Sequence, residues 1–217
     1  MNKKQIISQT AEYVKAKMTG ESSGHDWWHV YRVWKSAVNI GRKEKVDLFV
    51  VELAALLHDI ADWKFVEGDN NSGQQPIGDW LKKMAVDGAI VSHVCQIIKD
   101  ISFKGADVVV KVKTPEGLVV QDADRLDAIG AIGIARTFTT GAARGRVLFN
   151  PDVPPEKEVL DFRAGKDSYS SIHHFYDKIL RLKDLMNTAT AKKIAKKRHE
   201  VIEKFLAEFF KEWEGKA

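Results

Sequence analysis

The feature that most constrains this chain is a dense apolar run that ends in a histidine and two carboxylates. Residues 48–57 read LFVVELAALL, and His58, Asp59 and Asp62 follow. Such apolar density over about three turns predicts a helix that is buried on nearly every side. Burying an imidazole and a carboxylate at its end is costly unless another group pairs with them. A metal ion would pair with both His58 and Asp59, so the run predicts a metal site that needs further ligands.

Length and composition narrow the class of protein. The chain has 217 residues, of which 44% are hydrophobic and 29% charged, and this balance favours a globular protein with one domain. The net charge of +4 is too weak to argue for nucleic-acid binding, but it suits an anionic substrate such as a nucleotide. The single cysteine, Cys95, excludes an intrachain disulfide and fits a reducing compartment. Without a signal-peptide core or a run of about 18 apolar residues, we expect a cytoplasmic protein with no membrane span.

Hydrophobic periodicity predicts helices along most of the chain. We expect helical segments over residues 3–18, 25–41, 47–61, 77–84, 90–101, 172–186 and 190–213, and another that starts at Pro115. Residues 130–139 continue as a buried segment rich in Ala, Ile and Gly. The strand-like run over 108–113 is interpreted as a loop or a stray edge strand, and 141–146 as a loop. The prediction is an all-α fold in one domain over 1–217. Its core spans 20–140, and C-terminal helices over 152–215 pack on that core.

Two other segments carry residues that can complete a metal site. His29 stands in the segment HDWWHVYRV, where His25, His29 and Arg32 share one helix face and Asp26 is placed to cap the helix. Residues 122–127 read DADRLD. Imidazole and carboxylate donors together suit Mn²⁺, Fe²⁺, Co²⁺ or Zn²⁺, and Mg²⁺ is less natural with two histidines. Helical bundles build interior metal sites from ligands on several helices in this way.

The combined pattern resembles the HD-domain metal-dependent phosphohydrolases. HVYRV at His29, LLHD at His58 and Asp59, and ADRL at Asp124 are similar to the motifs of that family. The resemblance covers about residues 20–215 and is nearest to a bacterial subgroup of HD nucleotide pyrophosphohydrolases, whose members carry stretches like HDWWH, QDADRLDA and HFYDK. It implies an HD-type helical bundle with the metal site between its central helices. The implied ligands of one divalent ion, with Mn²⁺ as the first choice, are His29, His58, Asp59 and Asp124.

Candidates for catalysis and phosphate binding come from position, charge and this resemblance. Asp62 lies four residues after His58 and would orient or deprotonate the attacking water, if the helix continues that far. Glu52 is a weaker candidate for the same role. Phosphate binding needs fixed positive charge, and the Gly-rich segment 141–146 also offers backbone N–H groups. The substrate-binding candidates are His25, Asp26, Arg32, Lys104, Arg125, Arg144 and Arg146.

The resemblance implies hydrolysis of a (deoxy)nucleoside triphosphate to nucleoside monophosphate and pyrophosphate. A phosphomonoesterase, a cyclic-nucleotide phosphodiesterase, a di-iron oxygenase and a non-catalytic nucleotide sensor remain alternatives. A single ion is favoured, although His93 is a candidate ligand for a second. Asp127 supports a metal ligand, lies on the helix surface or is a buried partner of an arginine.

Other patterns limit the partners and the enzyme classes. The basic run over 192–198 is interpreted as a solvated helix face, so no nucleic-acid partner is expected. A homodimer is compatible with the sequence. The chain carries no P-loop, Gly-x-Gly-x-x-Gly or Gly-x-Ser-x-Gly motif, which argues against P-loop ATPases, the usual kinases, dinucleotide enzymes and serine hydrolases.

Overall fold

The computed structural model describes residues 1–18, 26–60, 75–101, 112–152 and 170–216. Within these residues the helices are α1 (Lys3–Lys17), α2 (Trp27–Glu44), α3 (Leu48–Leu57), α4 (Gln75–Lys83), α5 (Gly88–Ile101), α6 (Pro115–Asp127), α7 (Gly130–Ala143), α8 (Ser171–Asp177), a 3₁₀ helix (Ile179–Leu185) and α9 (Ala189–Trp213). The same residues contain no strand, and one isolated parallel bridge joins Val147 to Ser170. The predicted all-α class is confirmed.

The chain divides into two compact units, Met1–Ala123 and Asp124–Ala217. In the first unit, α3 packs against α1, α2 and α5, and α4 packs against α5. In the second unit, α9 packs against α7 and the 3₁₀ helix, and α8 packs against the same two elements. The single domain over 1–217, with its core over 20–140, remains a prediction. Among the described residues, no helix has both the length and the apolar character needed to cross a membrane.

Helix α3 is the central element of the first unit because its sequence leaves almost no polar face. All of its residues except Leu48 and Glu52 are buried. At its start, the Asp47 carboxylate accepts a hydrogen bond from the Phe49 N–H at 2.8 Å, which caps the helix. Burial of so many aliphatic side chains is a dominant source of folding free energy. The predicted buried helix is therefore confirmed.

The end of α3 differs from the prediction. The helix was expected to reach residue 61, but it ends at Leu57 with His58 as the C-terminal cap. The Ile60 N–H donates to the Leu57 carbonyl at 3.1 Å, a tight turn that replaces the continuing helical bond. The helical spacing that placed Asp62 on the same face as His58 therefore does not apply, and Asp62 itself lies outside the described residues.

Other helix ends follow local sequence signals. The Asp26 carboxylate caps α2 by accepting from the His29 N–H at 2.9 Å, and α6 begins at Pro115, both as predicted. The segment over 172–186 is not one helix, because Lys178 departs from helical geometry with φ −132° and ψ −54°. The segment over 108–113 lies mostly outside the described residues, and its last two residues form no strand.

Removing a core side chain of α3 tests its central position. Leu53 is 0% exposed, so Leu53→Ala should lower the free energy of unfolding by about 2–5 kcal/mol through lost apolar contact and a cavity. Denaturant unfolding followed by circular dichroism measures this change. The control Val201→Ala, at a 43% exposed position of α9, should change stability by less than about 0.5 kcal/mol. Equal losses in both variants would contradict the central burial of α3.

Candidate metal centre

Three buried side chains of the first unit converge at the end of α3. His29 of α2, and His58 and Asp59 of the turn after α3, are 1%, 5% and 7% exposed. The Asp59 Oδ2 lies 3.3 Å from the His29 Nε2, and the Asp59 Oδ1 lies 3.3 Å from the His58 Nε2. One donor atom from each residue lies within 4.8 Å of the other two. This spacing allows one ion to be bound by all three residues.

Two sequence neighbours at the end of α3 both reach His29. The Asp59 carboxylate lies 3.3 Å from the His29 Nε2, and the centroids of the His58 and His29 rings are 5.4 Å apart. The Asp26 cap holds the first turn of α2, because the N–H that it binds belongs to His29 itself.

His58 is held in the tautomer that a metal ligand needs. Its Nδ1 lies 2.8 Å from the Ala55 carbonyl oxygen, and a carbonyl can only accept a hydrogen bond, so Nδ1 carries the proton. In the neutral imidazole the lone pair is then on Nε2, which is the atom near Asp59. A lone pair that faces a carboxylate oxygen is unfavourable unless a proton or a cation lies between them. The donor set therefore fits a divalent cation. The hydrogen bond from Nδ1 to a backbone carbonyl is of the kind that orients metal-binding histidines.

Comparison with known proteins agrees with this geometry. Residues 27–129 match the family model for the HD domain. The protein YpgQ of Bacillus subtilis is 41% identical to this chain over 208 residues, which span 95% of this chain and 93% of YpgQ. This chain belongs to the HD domain family. The resemblance that the His29, His58 and Asp124 motifs indicated is thus confirmed.

Solved structures of HD proteins match nearly the whole chain. An HD-superfamily hydrolase from Bacillus thuringiensis has a TM-score of 0.79 and 41% identity, and the match covers 98% of this chain and 99% of that one. The structure of Bacillus subtilis YpgQ in complex with ADP has a TM-score of 0.76 and 39% identity, and the match covers 95% and 97% of the two chains. The predicted HD-type helical fold is therefore confirmed.

Three predicted site residues lie outside the described part of the chain. They are His25 and Lys104, predicted to bind substrate, and Asp62, predicted to act on the attacking water. Their roles remain predictions that depend on the sequence alone.

Three other candidates of the sequence analysis have structural contacts of their own. Asp26 caps α2. Glu52 accepts a hydrogen bond from the Trp34 Nε1 at 2.8 Å, which gives this carboxylate a structural partner in the first unit. The Arg125 guanidinium donates to the Leu185 carbonyl oxygen in the second unit. Arg32 lies on α2 one turn after His29 and is half-buried. Substrate binding by Asp26, Arg32 and Arg125 remains a prediction.

The last turn of α6 carries two aspartates that belong to the second unit. Asp127 is 4% exposed and accepts a hydrogen bond from the Arg136 Nη1 at 2.8 Å. It is therefore a buried partner of an arginine, which is one of the roles predicted for it. Asp124 is half-buried, and its carboxylate acts on the charge of Lys178. The role of Asp124 as the fourth metal ligand remains a prediction from its motif.

The backbone of the Gly-rich segment after α7 does not have the role that the sequence suggested. Helix α7 continues to Ala143, so part of the predicted loop is helical. The Arg144 N–H donates to the Thr140 carbonyl at 3.1 Å and the Arg146 N–H to the Gly141 carbonyl at 2.9 Å. These N–H groups therefore complete the end of α7, and the expectation that they meet a phosphate is wrong. Phosphate binding by the two arginine side chains remains a prediction.

Lys178 is a candidate site residue that the sequence patterns did not indicate. Loss of water around its ammonium lowers the pKa of Lys178, the Asp124 carboxylate raises it, and Arg144, Arg136 and Arg146 lower it. The lysine thus lies within electrostatic reach of both the predicted fourth ligand and two predicted phosphate-binding residues. The signal in the sequence is the HFYDK stretch, which ends in this lysine and is similar to stretches of the HD nucleotide pyrophosphohydrolase subgroup.

Metal analysis tests the three-residue cluster. His58→Ala should abolish binding of the single divalent ion, because it removes the donor that faces Asp59. Equilibrium dialysis with Mn²⁺, followed by elemental analysis of the protein, measures the ions bound per chain. The control is His93→Ala on α5, where the imidazole lies 3.8 Å from Glu116, and it should keep the full metal content. Full metal binding by the His58 variant would refute the site.

Proposed function

We propose that this protein is a divalent-metal-dependent phosphohydrolase that cleaves nucleoside triphosphates to nucleoside monophosphate and pyrophosphate. The observation that carries the proposal is the buried cluster of His29, Asp59 and His58, whose donor atoms suit a divalent ion. The ADP complex of YpgQ, which is 39% identical to this chain, supports a nucleotide as the class of substrate. The net charge of +4 is compatible with an anionic substrate.

The proposed ligands of the ion are His29, His58, Asp59 and Asp124. Mn²⁺ is the first choice, and Co²⁺, Fe²⁺, Zn²⁺ and Mg²⁺ are the alternatives. When bound, such an ion lowers the pKa of a water ligand and draws charge from the phosphoryl group. The hydrogen bond from His58 Nδ1 to the Ala55 carbonyl keeps the Nε2 lone pair directed toward the ion. Both oxygens of Asp59 lie next to an imidazole nitrogen, which fixes the orientation of the carboxylate.

The proposed reaction is attack of water on the α-phosphorus. A bond forms between the water oxygen and the α-phosphorus, the bond from the α-phosphorus to the bridging oxygen breaks, and pyrophosphate leaves. Asp62 takes the proton of the attacking water. The positive charges of Arg32, Lys104, Arg144 and Arg146 bind the phosphates. His25, Asp26 and Arg125 complete the proposed substrate contacts.

Product analysis decides between this reaction and its closest rivals. A panel of nucleoside triphosphates with Mn²⁺ should yield nucleoside monophosphate and pyrophosphate, and a chelator should abolish turnover. In water enriched in ¹⁸O, the label should enter the monophosphate and not the pyrophosphate, because attack is at the α-phosphorus. Release of orthophosphate would instead indicate a phosphomonoesterase, and ring opening of a cyclic nucleotide would indicate a phosphodiesterase.

Two alternatives from other functional classes have their own readouts. A di-iron oxygenase would bind two irons per chain and consume oxygen. A nucleotide sensor would bind a nucleotide without metal-dependent turnover. Within the described residues, the cluster of metal donors comprises His29, His58 and Asp59, and this favours a single ion.

Substitution of Asp62 separates metal binding from catalysis. Asp62→Asn should keep the ion but lower kcat by about 10²- to 10⁴-fold, which is the usual contribution of a general base. Metal content and steady-state kinetics are measured on the same sample. Asp79→Asn, at an exposed position of α4, is the matched control and should leave kcat unchanged. An Asp62 variant with the kcat of the wild type would remove this residue from the mechanism.

A further inference from the structure

Arg198 differs from the rest of the basic run over 192–198 on α9. The four lysines of this run are exposed, whereas Arg198 is half-buried. Its Nη1 donates a hydrogen bond to the Leu126 carbonyl oxygen in the last turn of α6. The interpretation of the run as a solvated helix face therefore describes the lysines but is wrong for Arg198.

The stem of Arg198 lies directly against the backbone at Gly130, the first residue of α7. A Cβ atom on Gly130 would lie 3.0 Å from both the Cβ and the Cγ of Arg198, which is closer than ordinary van der Waals contact. Gly130 also has a φ of +78°, a conformation that favours glycine. The arginine therefore reaches α6 across the corner between α6 and α7, where glycine leaves room for its stem.

Two further contacts hold the same turn of α6. The Asp127 carboxylate accepts a hydrogen bond from the Arg136 Nη1 of α7 at 2.8 Å. The Arg125 guanidinium donates to the carbonyl oxygen of Leu185, at the end of the 3₁₀ helix. Each of the three residues that follow Asp124 is thus bonded to a different element of the second unit.

We propose that Arg198 is a positioning residue of the metal site, which fixes the last turn of α6 and with it the direction of the Asp124 carboxylate. The inference rests on the function proposed above, because it takes Asp124 as the fourth ligand. Metal ligands have to be held within about 0.5 Å of the required geometry, and the residues behind the ligands supply this precision. Arg198 acts through α6 and is not itself a ligand.

Stabilisation of the fold and positioning of a ligand predict different results. A cation at the C-terminus of a helix stabilises it, because the helix dipole is negative there. That role alone predicts a less stable variant whose folded form still binds the ion with full affinity. Bonds to three successive residues, which lie about 100° apart around the helix axis, restrain the rotation of the turn as well as its position. Since that rotation sets the direction of Asp124, losing one bond should weaken metal binding by the folded protein.

Mn²⁺ binding by the folded protein tests the positioning role. Arg198→Gln should raise the Kd for Mn²⁺ by about tenfold or more, the usual effect of removing a residue that supports a metal ligand. Arg198→Lys should restore part of the affinity, because it keeps a long stem and the charge. Equilibrium dialysis measures the Kd, and circular dichroism checks that each variant is folded.

Kinetics give a second readout that separates the ion from the substrate. In Arg198→Gln, the Mn²⁺ concentration that gives half-maximal turnover should rise by the same factor as the Kd. The KM for the nucleotide at saturating Mn²⁺ should stay unchanged, because Arg198 does not contact the substrate. A variant that changes the KM and leaves the Kd for Mn²⁺ unchanged would contradict the proposal.

Phe209→Leu is the matched control on the same helix. Phe209 lies eleven residues after Arg198, about 16 Å along α9, and its ring packs against those of Phe149 and Trp213. This change should lower stability without changing the Kd for Mn²⁺. An equal rise in the Kd for Phe209→Leu and Arg198→Gln would attribute the effect to general destabilisation and would overturn the proposal.

The outcomes separate this inference from the proposed function. If Arg198→Gln folds and keeps the wild-type Kd while the wild type cleaves triphosphates, the positioning role is wrong and the function stands. If Arg198→Gln weakens Mn²⁺ binding as expected but the wild type cleaves no triphosphate, the function is wrong and the positioning role stands. Wild-type Mn²⁺ binding by Asp124→Ala removes the fourth ligand and the positioning role with it. Should Arg198→Gln not fold, Arg198→Met, which keeps the stem against Gly130, decides by the same measurement.

Discussion

The placement of the Asp59 carboxylate between two imidazoles is the interaction on which the rest of the site depends. Each of its oxygens lies 3.3 Å from an Nε2 atom, one of His29 and one of His58. All three residues are buried, and burying such polar and charged side chains is costly unless they are paired. The hydrogen bond of His58 to the Ala55 carbonyl removes the tautomer in which Nε2 would donate. A cation is the partner that satisfies this set of donors.

The apolar helix before this cluster gives it a rigid support. Helix α3 is buried along nearly all of its length and packs against α1, α2 and α5. Its side chains therefore cannot shift without opening cavities in a close-packed interior. The position of His58 at the end of α3 inherits that rigidity, and the Asp26 cap does the same for His29 on α2. The positions of His58 and His29 are thus fixed by the packing of apolar side chains that take no part in the chemistry.

In the second unit, two aspartates on one turn of α6 have different environments. Asp127 is buried and bound to Arg136, which makes it part of the packing between α6 and α7. Asp124 is half-buried and acts on Lys178 at the end of α8. The contrast assigns one carboxylate of the DADRLD segment a structural role, and the predicted role of Asp124 as a metal ligand stays a prediction.

What the sequence by itself determined are the features that depend on neighbouring residues. The buried character of α3, the Asp26 cap, the start of α6 at Pro115 and the HD motifs all follow from short patterns, because helix periodicity and capping are local. Only the tertiary structure decided where α3 ends, that Lys178 separates α8 from the 3₁₀ helix, and that the backbone after α7 completes the helix. It also decided the Asp127–Arg136 pair and the convergence of His29 on Asp59. Of these, the approach of His29 to Asp59 joins residues 30 positions apart, and the periodicity and capping patterns of short segments do not encode contacts at that distance.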